Sequence, residues 1–219
     1  MPRLLKQPVP SRIFASLAAL TLCVVLAGCS NDDDAELDET MDASEVDSAE
    51  YIPASADGPA QNVPEPKLPA VATENTEEGA EATLKYFWEA IDYARLTGET
   101  DQLQLVSSDN CEFCEGFFDD WTAAYETGQW AVTHGTVEEK ISEVWLGHDQ
   151  EQNVPAADIS FSLLDSAVDL YNDDGHLEQT SVGSSEDTAW FAILLYDATA
   201  QRWQIDWVGL EELVEWENE

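Results

Sequence analysis

The chain has 219 residues, of which 46 are acidic and eight are basic, so its formal net charge is −38. A chain with so few basic residues lacks the positive patch needed to neutralise phosphates, which excludes nucleic acid as a partner. Residues 73–219 hold all eight tryptophans and are long enough to bury a core, so they are predicted to form one domain.

The first 28 residues have the layout of a secretory signal peptide. A basic start is followed by an apolar run of 16 residues from Ile13 to Gly28. As a helix this run reaches about 24 Å, less than the roughly 30 Å of a bilayer core. We therefore expect residues 1–28 to be removed on export.

The apolar run ends in Leu26-Ala-Gly-Cys29, which resembles the bacterial lipobox. The resemblance implies that Cys29 receives a diacylglycerol group and becomes the mature N-terminus. Two acyl chains hold a protein firmly to a bilayer. The predicted location is the extracytoplasmic face of the cell membrane, with the membrane bound through Cys29.

Residues 29–72 are predicted to be a disordered acidic and proline-containing linker. Between Ser30 and Ala72 there are twelve acidic residues, one basic residue and one aromatic, Tyr51. A segment with so few large apolar groups cannot offset the entropy lost on ordering. The linker would hold the domain away from the membrane.

Three helices are predicted at the start of the domain. Asn75 and Glu78 stand at capping-box spacing, and Gly98 marks the end of the first helix. A short second helix follows, and aromatic residues four apart predict a third helix that ends at Gly128.

After Gly128 the hydrophobic period changes to two, which is typical of strands. Ile159, Phe161 and Leu163 alternate with polar residues, and Asn172-Asp-Asp-Gly is a hairpin signal. Helices followed by an antiparallel meander indicate an α+β fold, with the N-terminal helices packed on the sheet.

From about residue 63 to the end, and most strongly up to Trp130, the chain resembles a family of tethered lipoproteins of unknown function from high-GC Gram-positive bacteria. The shared motifs are ENTEEGAEA, the aromatic cluster Tyr86–Trp88 and SSDNCEFC. The resemblance implies a SnoaL-like cone, related to nuclear transport factor 2, in which helices cover a curved antiparallel sheet and enclose a pocket. It implies no reaction.

Cys111 and Cys114 form a C-x-x-C motif that has three interpretations. A redox-active dithiol is disfavoured by the surrounding acidic residues, which raise a thiol pKa. A zinc site lacks a second pair of ligands at the usual spacing. The sequence favours a local structural disulfide, and it predicts neither a metal nor a cofactor.

Most of the aromatic residues must belong to the core, but some can line a pocket for an apolar ligand. The residues predicted for that pocket are Phe87, Trp88, Trp121, Trp203 and Trp207. A non-catalytic domain that binds a small apolar ligand or another envelope protein is the favoured function. The alternative is a SnoaL-like enzyme in which His134 and a pocket carboxylate act as base and acid.

The acidity of the domain leaves two interpretations open. Residues 73–219 carry 34 acidic and four basic residues. Such a surface is typical of adaptation to salt, which screens self-repulsion, but it can also attract cations or basic partners.

Overall fold

The computed structural model describes residues 50–184 and 188–213. These residues lie within one compact unit, Val46–Glu219. The predicted signal peptide, the lipidation site Cys29 and linker residues 29–49 lie outside the described residues. Within the described ranges, no helix has the length and apolar character needed to cross a bilayer.

Helix α1 spans Glu77–Thr97, as the sequence pattern predicts. The capping residue is Thr76, one position after the predicted Asn75, and its Oγ1 accepts a hydrogen bond from the backbone N–H of Gly79 at 3.1 Å. The helix ends at Gly98, which has a left-handed backbone with a φ of 75°. A side chain at Gly98 would also collide with Tyr125. Both the backbone and the neighbouring ring therefore require glycine at this position.

Two further helices follow, and their predictions are also confirmed. Helix α2 spans Asp101–Leu105, and helix α3 spans Glu112–Glu126. The Sγ atom of Cys111 accepts a hydrogen bond from the backbone N–H of Cys114 and so caps the start of α3. Short 3-10 helices cover Ala70–Thr73 and Glu211–Leu213.

The strands of the described residues form two antiparallel sheets. One has the order β1-β4-β5 and the other has the order β2-β3-β6-β7. The strands are β1 Trp130–Thr133, β2 Glu138–Asp149, β3 Val154–Leu164, β4 Val168–Tyr171, β5 Leu177–Ser181, β6 Ala189–Asp197 and β7 Arg202–Leu210.

The predicted fold class, N-terminal helices on one curved sheet in a SnoaL-like cone, is wrong. The seven strands of the described residues divide between two sheets, with three helices beside them. Strand β1 pairs with β4, so that Trp130 lies opposite Tyr171, whereas β2 pairs with β3. The chain thus leaves the first sheet after Thr133 and returns to it at Val168. Strand periodicity cannot reveal this exchange of partners.

The core lies where α1 meets the four-stranded sheet. The residues involved are fully or almost fully buried and form one apolar cluster. Burial of apolar surface stabilises a fold by about 25 cal/mol per Å², and large aromatic side chains contribute most of that area. The cluster includes Leu84, Phe87, Trp88 and Ile91 from α1, Ile159, Phe161 and Leu163 from β3, and Trp203, Ile205 and Val208 from β7.

A bulge in β7 changes which residues reach this core. Ile205 lies opposite Leu194, but Trp207 lies opposite Ile193, so Asp206 is an extra residue on β7. An extra residue reverses the alternation of side chains between the two faces. Val208 joins the core cluster in consequence, and Trp207 does not.

The described part of the predicted linker contacts the domain. The carbonyl oxygen of Ser55 accepts a hydrogen bond from Nε1 of Trp130 at 2.8 Å, and Ala72 is fully buried. Ile52 and Gln61 also form an antiparallel bridge. Contacts therefore begin before residue 73, although the predicted boundary between linker and domain stays a prediction.

Candidate functional site

A cleft of about 620 Å³ lies between α3 and one face of strands β4 and β5. We call it the α3 cleft. Its volume falls within the range of small-ligand pockets, roughly 300–1,000 Å³. Its lining includes Arg95, Phe113, Phe117, Asp120, Trp121, Thr127, Gln129, Val168, Leu170, Gln179 and Ser181.

The helix side of the α3 cleft is aromatic. Phe113, Phe117 and Trp121 are four residues apart, which places them on one face of α3. The ring centroids of Phe117 and Trp121 are 5.8 Å apart, and those of Phe113 and Phe117 are 6.3 Å apart. Neighbouring rings at these distances make a continuous apolar wall.

The strand side combines apolar and polar groups. Val168 and Leu170 of β4, with Gln179 and Ser181 of β5, line the cleft. Each pair is two residues apart, so its members point to the same face of the sheet. Helix α1 packs against β1, but none of the described helices packs extensively on β4 or β5. This face of the sheet therefore stays open to the cleft.

A nearly buried ion pair stands at the back of the cleft. Nη1 and Nη2 of Arg95 donate to Oδ1 and Oδ2 of Asp165 at 2.6 and 2.8 Å, and Nη1 lies 3.7 Å from Oδ1 of Asp92. The Arg95 guanidinium also lies 5.9 Å from the centre of the Phe117 ring. Two carboxylates therefore neutralise Arg95. Asp120 is the remaining charged residue of the lining.

Burial also affects the carboxylate of Asp92. Removal from water raises the pKa of Asp92, while the hydrogen bond from the Val137 N–H and the charge of Arg95 act in the opposite direction. The Val137 N–H donates to Oδ2 of Asp92 at 2.8 Å. Asp92 therefore helps to join α1 to the segment that leads into β2.

A second hollow, of about 880 Å³, lies on the other side of α3 and is more polar. Its lining includes the carboxylates of Asp109, Glu115, Asp119 and Glu126. Like charges at this density disfavour an apolar or anionic ligand. The aromatic α3 cleft is therefore the better candidate site, although it is the smaller of the two.

The five residues predicted to line one pocket do not meet in one place. Phe87, Trp88 and Trp203 lie in the closed core, with at most 2% of their surface exposed. Trp121 lines the α3 cleft. Trp207 lines a separate hollow of about 310 Å³, together with Trp190.

His134 lies on the outer face of the three-stranded sheet, with 52% of its side chain exposed. Its Nε2 atom is 2.8 Å from Oδ2 of Asp169, and Thr180 donates to Oδ1 of the same carboxylate at 2.6 Å. These two hydrogen bonds, first from Thr180 and then from His134, lower the pKa of Asp169. Asp169 alternates with Val168 and Leu170, so the pair faces away from the α3 cleft.

The structure confirms a disulfide between Cys111 and Cys114. Both residues are at least 98% buried and belong to the core cluster, so the bond closes the first turn of α3 on its buried side. Within the part of the chain that the structure describes, no three metal-ligating side chains are grouped as they would be at a metal site.

Of the residues that line the cleft, the sequence predicted only Trp121 as a pocket residue. It missed the ion pair of Arg95 with Asp165 and the other lining residues, among them Phe113, Phe117, Val168, Leu170, Gln179 and Ser181. One signal was available, because Arg95 is one of only four basic residues after residue 72. A single arginine on an amphipathic helix of an acidic domain suggests a structural ion pair. Its partner Asp165 lies 70 residues away in sequence, and no local pattern identifies it.

These features define a domain with two antiparallel sheets and an open aromatic cleft. The model of a family of unknown function, DUF6318, matches residues 49–208, and the chain belongs to that family. No curated protein matches the chain.

Two solved structures are distantly similar to the chain. One is the intermembrane-space region of the chloroplast protein ARC6, with 9% identity and a TM-score of 0.37, covering 62% of this chain and 95% of that one. The other, a 2.5 Å structure from Catenulispora acidiphila, has 10% identity and a TM-score of 0.30, covering 61% and 93%. Scores this low do not establish a shared fold.

Proposed function

We propose that this protein is an extracytoplasmic lipoprotein, anchored to the cell membrane through Cys29, whose domain binds a ligand in the α3 cleft without catalysing a reaction. One observation carries the binding role. The aromatic wall of α3, formed by Phe113, Phe117 and Trp121, faces a part of a sheet that no described helix covers extensively. All three side chains are partly exposed, and aromatic surface at a concave site is typical of ligand binding.

The positions of His134 and of the two cysteines support binding over catalysis. A general base must reach its substrate directly or through one water. His134 and Asp169 form a close pair, but they lie on the sheet face opposite the cleft. Cys111 and Cys114 are joined to each other and do not supply a thiolate nucleophile.

The anchoring part of the proposal rests on the sequence, because Cys29 lies outside the described residues. The basic start, the apolar run and the LAGC motif occur in the order found in lipoprotein precursors. The resemblance to tethered lipoproteins agrees with this order. Metabolic labelling with a fatty acid tests it. The wild-type chain should be labelled and membrane-bound, and Cys29→Ala should be unlabelled. An unlabelled wild-type chain in the medium would contradict the anchor.

The binding role can be tested with the neutral apolar dye Nile red and the purified full chain. We expect Nile red fluorescence to rise on binding, and Trp121→Ala or Leu170→Ser to weaken binding about tenfold, since each loses about 1–2 kcal/mol of apolar contact. Trp145→Ala is the matched control, because Trp145 is 48% exposed on β2 and does not line the cleft. Equal binding by all four proteins, or none by the wild type, would contradict a site in the cleft.

A further inference from the structure

We infer that the occupant of the α3 cleft is an extended segment of a partner protein, which adds to the edge of β5 as a further strand. This inference rests on the proposed function, because it names the ligand class of the same cleft. Strand addition uses backbone hydrogen bonds for affinity and side-chain pockets for selectivity. Both requirements are met where β5 borders the cleft.

The first observation is the exposure of β5. It is the last strand in the order β1-β4-β5 and has β4 as its one neighbour among the described strands. All five of its residues, Leu177–Ser181, are exposed. Leu177 is 54% exposed, and Val182, directly after the strand, is 86% exposed. An edge strand offers a row of N–H and C=O groups to a second chain.

The second observation is the position of the cleft beside that edge. Gln179 and Ser181 of β5 line the cleft, and Phe117 and Trp121 form its opposite wall. A strand added to β5 would lie about 4.8 Å from it, along the mouth of the cleft. Every second side chain of that strand would point towards the rings of α3. The apolar wall therefore selects apolar side chains at alternate positions.

Both edges of the four-stranded sheet, β7 and β2, are less suited to strand addition. The edge of β7 is covered, because the Ile205 N–H donates to the carbonyl of Val106, and the Ser108 N–H donates to the carbonyl of Ile205. Both strands contain a bulge, between Ile141 and Glu143 in β2 and at Glu178 in β5, so a bulge does not separate them. Strand β2 carries three exposed charged residues, Glu138, Lys140 and Glu143, whereas β5 carries one, so the β2 edge is better protected.

The charge of the cleft indicates the chemistry of the partner segment. Arg95 is neutralised by Asp165 and Asp92, which leaves Asp120 as the charged group of the lining that has no cationic partner among the described residues. The whole chain has a net charge of −38, which attracts basic segments and repels acidic ones. The segment should thus alternate apolar residues with polar ones and carry a lysine or arginine beside Asp120.

The test uses a phage-displayed library of random 12-residue peptides, selected on the purified full chain. Enriched peptides should show alternating apolar residues and at least one basic residue. A synthetic copy should bind the wild type and Trp145→Ala equally, and bind Trp121→Ala about tenfold more weakly. Far-UV circular dichroism checks that both variants are folded.

Hydrogen exchange supplies the measurement specific to strand addition. The bound peptide should slow amide exchange in residues 177–182. Alternate N–H groups of an added strand point towards β5, so N-methylation of either the odd or the even peptide amides, but not both sets, should abolish binding. Failure to enrich any peptide, or bound peptides that leave exchange at β5 unchanged, would overturn the inference. If Nile red still binds the cleft in that case, the proposed function stands and the peptide ligand alone is wrong. If neither binds, both proposals fail.

Discussion

The two sheets of this domain meet the helices in different ways. The face of the four-stranded sheet that is turned towards α1 is closed, and its residues join Phe87 and Trp88 in one buried cluster. The three-stranded sheet is covered by α1 at β1, while the same face of β4 and β5 borders the α3 cleft. Aromatic residues occur in both places. An aromatic side chain therefore contributes to stability where a helix covers it and to the candidate site where none does, whichever aromatic residue it is.

Trp203 and Trp121 provide the sharpest test of this comparison. Trp203 is fully buried and its Nε1 donates to the carbonyl of Glu74 at 2.8 Å, whereas Trp121 is partly exposed in the cleft. Trp203→Ala should lower the free energy of unfolding by about 3–5 kcal/mol, since it leaves a cavity and an unpaired carbonyl. Trp121→Ala should lower it by about 1 kcal/mol or less. Urea unfolding measures both, and equal losses would contradict the division into core and site.

The next largest effect is expected at the connection between the two sheets. Asp165 follows β3 of one sheet and precedes β4 of the other, and it holds Arg95 of α1 through two hydrogen bonds. Asp165→Ala should lower the free energy of unfolding by about 2 kcal/mol, because Arg95, with 11% of its side chain exposed, loses two charged hydrogen bonds and keeps only the longer contact with Asp92 at 3.7 Å.

The control for Asp165→Ala is the exposed ion pair of Glu81 and Lys85. Their charged atoms are 3.8 Å apart, and the side chains are 38% and 51% exposed. Glu81→Ala should change stability by no more than about 0.5 kcal/mol. A loss at Asp165 as small as the loss at Glu81 would show that the connection between the sheets does not depend on this pair.

A smaller effect is expected from the disulfide at the start of α3. The bond between Cys111 and Cys114 closes a loop of four residues, for which chain entropy gives at most about 2 kcal/mol. The protein with this bond reduced should lose no more than this amount in urea unfolding. Its amide exchange should increase in the first turn of α3 and remain unchanged in β6. A complete failure to fold would contradict a merely local role for the bond.

The sequence allowed the local elements to be predicted, and the reasons are physical. Helix α1 follows from its apolar period and from Gly98, and β3 follows from the alternation of Ile159, Phe161 and Leu163 with polar residues. The turn at Asn172–Gly175 also joins β4 to β5, as its composition predicts. These signals depend on residues close together in the chain.

The arrangement of the sheets and the composition of the cleft could not be predicted in the same way. Pairing of Trp130 with Tyr171 joins residues far apart in sequence, and many partners would satisfy the same alternation. The bulge at Asp206 moves Trp207 away from the core, although the sequence predicts one pocket for Trp203 and Trp207. The cleft exists because none of the described helices packs extensively on β4 or β5, and no local sequence pattern predicts that.

The smallest expected effects concern two aspartates, one on each sheet, on the faces turned away from the core and the cleft. Replacing them should change the free energy of unfolding in opposite directions. Burial raises the pKa of Asp158 on β3. Hydrogen bonds from Thr180 and then from His134 lower the pKa of Asp169 on β4. A raised carboxyl pKa means that folding disfavours the ionised form, and a lowered pKa means that folding favours it.

The signs follow from this difference. At pH 7 both carboxyls are ionised, so Asp158→Asn should raise the free energy of unfolding, and Asp169→Asn should lower it. The cost of ionised Asp158 fades as the pH falls through its raised folded pKa, and the benefit of ionised Asp169 is lost as the pH falls through its lowered folded pKa. In urea unfolding the Asp158 difference should therefore shrink as the pH falls towards about 4, the usual aspartate range, and the Asp169 difference should shrink only below it. If both variants changed the free energy of unfolding in the same direction at pH 7, the contrast between buried Asp158 and hydrogen-bonded Asp169 would be wrong.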